Sequence, residues 1–179
     1  MKRMAFCLFL SALMFGLTGM AMAASDNDSH DVLMNVNEIA VMELNDSSQI
    51  SLTVVPPTLG GDPPQNDSDN SKLLHYTSVV ASGNTRTITA EWGAADAAPA
   101  GTSLKLEATA VPANCGTATG QIDVSNSATT IISGIGSCAT GRGANGAELT
   151  YTLNVDDAAQ LVAGDSQTAT ITLTLTEDS

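Results

Sequence analysis

The chain has 179 residues, with 19 acidic side chains against six basic ones and a formal net charge of −13. That balance excludes a nucleic-acid binder, which must neutralise phosphates with many cations, and argues equally against docking on anionic lipid. Aromatic residues make up only 3% of the chain, too few for a platform that stacks sugar rings or bases.

Residues 1–23 read as a signal peptide. Lys2 and Arg3 supply a positive start, an apolar run extends from Ala5 to Leu17, and Ala21-Met22-Ala23 places small side chains before a cut between Ala23 and Ala24. The apolar run is too short for a permanent bilayer-spanning helix, so no stable membrane insertion is expected after its removal. The expected location is periplasmic, cell-surface or secreted. Removal takes Phe6, Phe9 and Phe15, the only phenylalanines, together with Cys7. It leaves four basic residues (Lys72, Arg86, Lys105 and Arg142) against 19 acidic ones, a net charge of −15. Two cysteines remain, Cys115 and Cys138, and two cysteines in an exported chain have one possible pairing. The expected disulfide closes a loop of roughly 24 residues and stabilises by about 3 kcal/mol on chain-entropy grounds. A zinc site needs four ligands, and only His30 and His75 could join those cysteines.

In chain order, residues 24–31 (ASDNDSHD) form a polar, acidic start expected to be disordered. A single domain is expected over 32–179. Val32, Met34 and Val36 alternate with Leu33, Asn35 and Asn37; after a phase slip near Glu38, Ile39 and Val41 continue on the apolar face. Ile50, Leu52 and Val54 alternate with serine and threonine. Residues 56–71 hold four prolines, two glycines and a run of Asp and Asn, which predicts a long exposed loop. Strands are predicted over 73–80 and 85–92, joined as a hairpin through Ala81-Ser82-Gly83-Asn84. Leu104, Leu106, Ala108 and Ala110 mark the next strand, closed by Pro112, and short strands are predicted at 122–125 and 129–133. The glycine-rich stretch 134–146 reads as a loop that Cys138 ties down. Leu149, Tyr151, Leu153 and Val155 define a clear strand, 156–161 a helical turn capped by an aspartate, and Ala169, Ile171, Leu173 and Leu175 the last strand. Eight or nine short strands with no helix-period segment predict an all-β fold, an immunoglobulin-like antiparallel β-sandwich, with a β-barrel as the alternative.

The residue inventory is poor in catalytic constellations. A serine triad needs a histidine base, yet His30 lies in the acidic start, His75 within a strand pattern, and no G-x-S-x-G elbow exists. Paired carboxylates for glycoside hydrolysis are available, but they sit mostly in turns without cleft aromatics. The run from Gly136 to Gly143 has Arg142-Gly143 where a phosphate loop ends in Gly-Lys-Ser/Thr. No organic cofactor is implied. Calcium is the one ligand with a donor set: Asp62, Asp67 and Asp69, with Asn66 and Asn70, bring hard oxygens together. Even so, Lys72 stands where a calcium loop needs its turn glycine. Asn27, Asn45 and Asn66 begin short N-x-S glycosylation patterns.

Strand edges are the stronger lead. An alternating stretch at 32–36, following a disordered start, can leave its own sheet and pair with the edge of another copy or of another exported protein. The end of the chain points the same way. Leu149-Thr150-Tyr151-Thr152-Leu153, then Leu161-Val162-Ala163-Gly164-Asp165-Ser166, then Thr168 to Leu175 with threonine alternating with aliphatics resembles the closing two strands of bacterial fimbrial subunits, spore-coat-U-like pilins among them. The likeness covers about 28 residues. It implies an immunoglobulin-like fold, surface-fibre assembly and no catalysis; the late Cys115 and Cys138 depart from that pattern, in which one cysteine usually comes early. The expectation is an exported, non-catalytic structural or surface-interaction subunit. The alternative is a stand-alone module binding a small ligand, a glycan or calcium through the 56–71 and 134–147 loops.

Overall fold

The computed structural model describes residues 27–178; the signal peptide, its Ala23–Ala24 junction and the first residues of the acidic start lie outside the described residues. The chain divides into two units between Asn35 and Val36. In the first unit the described residues 27–35 are exposed and carry no secondary structure. The strand expected at 32–36 is therefore corrected: among the described residues this stretch has no ladder partner.

The second unit is a β-sandwich of ten strands: β1 (Ile39–Leu44), β2 (Asp67–Val79), β3 (Arg86–Trp92), β4 (Thr102–Thr109), β5 (Thr117–Ala118), β6 (Ile122–Asp123), β7 (Thr129–Ile135), β8 (Cys138–Ala139), β9 (Ala147–Val155) and β10 (Ile171–Glu177). One antiparallel sheet runs β1-β2-β9-β4-β6, with β8 also on β2; the other runs β10-β3-β7-β5. These neighbours reproduce the immunoglobulin order, in which strands A, B, E and D share a sheet and C pairs with F. The alternation in sequence becomes alternation in burial. Leu149, Tyr151 and Leu153 of β9 point inward against Leu106 and Ala108 of β4, and Ile88 and Ala90 of β3 close the opposite side with Ile131, Ile132 and Ile135. A 3-10 turn at Ala158–Gln160 is capped by Asp157, whose carboxylate accepts from the Ala159 N–H, as the sequence predicts.

Three further expectations change. A tight turn does exist at 81–84, with the Asn84 N–H donating to the Ala81 carbonyl at 3.0 Å. But β2 and β3 enter different sheets, so the turn is a crossover between layers and not a hairpin. Residues 67–71 are the start of β2 and not loop: the strand pairs Asp67 with Leu153 and Asp69 with Tyr151 before a bulge between Asp69 and Lys72. Turn-forming side chains sit in this strand because they supply bonds of their own, such as Asp69 accepting from the Ser71 N–H and hydroxyl. Third, β1 is turned over. Met42 and Leu44 pack toward the core while Ile39 and Val41 are exposed, because β2 fixes the register with Leu44 opposite Leu74 and Met42 opposite Tyr76.

Candidate functional site

The two sheets do not close on each other along one side. Among the described residues β1 pairs only with β2, and β10 only with β3, so each presents an unpaired edge. In the immunoglobulin arrangement the free side of the strand corresponding to β10 is taken by strand G; no described strand takes it here. Between the edges lies a recess of about 210 Å³ lined by Met42, Glu43, Leu44, Leu74, Ile171 and Leu173. Ile171, Leu173 and Leu175 are half-buried against the core on one side of this seam, and Met42 and Leu44 on the other. Beyond β1, residues 49–54 keep period-two burial, with Ile50, Leu52 and Val54 half-buried, yet they form no ladder. They are held by the Thr53 N–H on the Asp67 carboxylate at 2.9 Å and by a bridge between Val55 and Gln65.

One end of the seam is charged. Arg86 of β3 is only 7% exposed and lies 3.7 Å from carboxylate oxygens of both Glu38, at the root of β1, and Glu177, at the end of β10. These separations allow ion pairing but exceed hydrogen-bonding range, and the buried Nε of Arg86 has no partner among the described residues. The flanking groups are committed. Glu38 accepts from the Ala81 N–H at 3.3 Å, Glu177 accepts from the Asn84 amide at 2.6 Å, and Asp178 accepts from the Thr85 hydroxyl at 2.7 Å. Sequence reading counted Arg86 among four basic residues and gave it no role. Its partners stand 48 positions before and 91 after it, beyond the reach of any local pattern.

The calcium candidates do not converge. Asp67 is spent on the N–H groups of Thr53 and Ser68, and Asp69 on Ser71, whose hydrogen bonds hold its carboxyl below the usual range. Asp62 sits in a turn with its N–H on the Leu59 carbonyl. Among the described residues, no group of three or more His, Cys, Asp and Glu side chains is placed to hold a metal ion. His75 is buried with Nε2 3.2 Å from the Gly143 carbonyl, its ring covered by the 141–146 loop. His30 is exposed in the first unit.

The disulfide between Cys115 and Cys138 is present, with Cα atoms 5.5 Å apart. It joins the chain two residues before the second-sheet strand β5 to β8, which lies on β2 of the first sheet, and so staples the layers. Lys72, nearly buried, reaches Asp46 at 3.1 Å and the Ser48 hydroxyl at 3.0 Å, tying the chain after β1 to the bulge of β2. The Ser48 hydroxyl and N–H, then Lys72, hold the Asp46 carboxyl down at about 2. Compared with known families, curated proteins and solved structures, the chain matches no family model, no curated protein and no solved structure.

Proposed function

We propose that this chain is an exported, non-catalytic structural or surface-interaction subunit, fimbrial in character, whose sandwich accepts a strand from another chain into the seam between β1 and β10. The observation that carries this reading is the pair of unpaired edges with half-exposed apolar side chains between them. An edge of that kind is a template for main-chain pairing. The best-matched occupant is the 32–36 stretch of a second copy. Val32 is 64% exposed, Met34 84% and Val36 87%. Burying one such side chain is worth about 1.5–3 kcal/mol, so three of them with a new ladder offset the ordering of a short segment.

Sedimentation of the exported protein across a concentration series tests the reading. Oligomers that grow with concentration, and that vanish when residues 24–37 are deleted, are expected. A monomer at every concentration, or oligomers indifferent to the deletion, overturns it.

A further inference from the structure

The tip of the loop between β1 and β2 holds the sole Asp–Pro bond of the chain, Asp62–Pro63. A proline nitrogen carries no hydrogen, so the ring closure open to other aspartates, in which the following N–H attacks the side-chain carboxyl, is blocked here. The Asp62 carboxyl can react only with its own main-chain carbonyl. Asp46, Asp67, Asp69, Asp96, Asp157 and Asp165 spend their carboxylates on hydrogen bonds. The Asp62 carboxylate accepts none among the described residues, and its N–H alone is engaged, on the Leu59 carbonyl at 3.3 Å. Residues 58–63 are exposed, and a Cβ at Gly60 or Gly61 would meet nothing within 4 Å, so water reaches the bond and the turn has room to reshape. No other residue of 54–66 is charged. Asp67, the nearest charged residue in sequence, is turned onto the Thr53 N–H.

We infer that Asp62–Pro63 is a self-cleavage site: in acid the Asp62 carboxyl hydrolyses the bond, and the cut chain keeps its fold with residues 24–62 held without a covalent link. One carboxyl oxygen adds to the Asp62 carbonyl carbon, the C–N bond to Pro63 breaks, and the carboxyl proton passes to the proline nitrogen, which leaves as a secondary amine. The cyclic anhydride left behind takes up one water, giving Asp62 a free α-carboxyl beside its restored side chain. Water is the sole co-reactant, and nothing is oxidised or reduced. The leaving nitrogen needs the proton of a neutral carboxyl, and aspartates take up that proton near about pH 4, so the cut belongs to acid.

Behind the turn the flanking segments run antiparallel in one register. Val55 and Gln65 exchange N–H···O bonds at 2.9 and 2.8 Å, the Thr53 N–H meets Asp67, and the Ser48 hydroxyl meets Lys72. β1 adds six register pairs with β2, from Leu44 opposite Leu74 to Ile39 opposite Val79, and packs Met42 and Leu44 against the core. The disulfide lies wholly within 63–179 and does not bridge the cut. Cleavage thus exchanges a covalent tether on β1 for one that only unfolding releases.

The exported protein is kept at about pH 3, below the ordinary aspartate range, or at about pH 7.5, and then returned to neutral pH. Denaturing mass spectrometry is expected to show, after the acid incubation alone, pieces ending at Asp62 and beginning at Pro63 whose masses sum to the whole chain plus one water. Size-exclusion chromatography without denaturant is expected to show those pieces eluting together, where the uncut protein elutes. Pro63→Ala, which restores the N–H, and Asp62→Asn are each expected to slow the cut at least about tenfold. A chain left whole by the acid incubation, or cut as fast in either variant, overturns the site. Pieces that part without denaturant overturn the retained fold.

Discussion

The Tyr76 hydroxyl donates to the Cys115 carbonyl at 2.6 Å inside the core, at the point where the disulfide leaves the second layer. Burial pushes the Tyr76 phenol up to about 12, and does the same for Tyr151. Both phenols are held neutral by the fold, so their folded values lie above the unfolded value of 10.0. The stability they confer is complete below about pH 10 and is lost as pH climbs from there to about 12. Alkaline denaturation is expected in that window, with phenolate absorbance rising in step with unfolding and not ahead of it. Tyr76→Phe is expected to cost about 1–2 kcal/mol, because the Cys115 carbonyl is left buried without a donor; urea midpoints measure this. At Gly116, φ is +105°, and a Cβ would lie 2.7 Å from Ile135 Cγ1 and 2.8 Å from the Ser133 carbonyl. Gly116→Ala is expected to lower stability by at least about 2 kcal/mol. No sequence pattern announced either residue, since both depend on neighbours supplied from other strands.

Among the elements, β4, β9 and β10 were legible from alternation alone because each has one aliphatic and one threonine-rich or charged face. β1 was legible as a strand but less so as to face: Ile39 and Val41 share their side with Glu43, and the register with β2 turns the other side, with Met42 and Leu44, inward. The start of β2 was hidden by residues that close turns in most settings. Here Asp67 and Asp69 spend that same capacity across and along a strand edge. The seam could not be read at all, since it is a relation between elements more than a hundred positions apart. The disulfide works at this scale too. It was legible from cysteine count, but its role as a staple between β5 and β8 came only with topology. Replacing both cysteines with alanine is expected to remove about 3 kcal/mol without changing the fold, measurable as a lower denaturant midpoint at unchanged far-UV circular dichroism.

For the molecule as a whole, the excess of 19 acidic residues over the four basic ones after Ala23 sets the salt response. Copies of like charge repel, and added salt screens that repulsion over about 10 Å at 0.1 M. Self-association is therefore expected to strengthen between roughly 0.05 M and 0.5 M sodium chloride, opposite in sign to phosphate-backbone binding; sedimentation equilibrium at both salts measures it. Aromatic poverty has a different consequence. Trp92 is the sole tryptophan of the chain, and it stands directly opposite Ile171, where β10 enters the seam. Indole emission shifts with local polarity, so this protein carries its own optical reporter one strand away from the recess, opposite Ile171, which lines it. Filling the seam should move a single fluorophore toward the blue, with no label attached and no second indole to blur the signal.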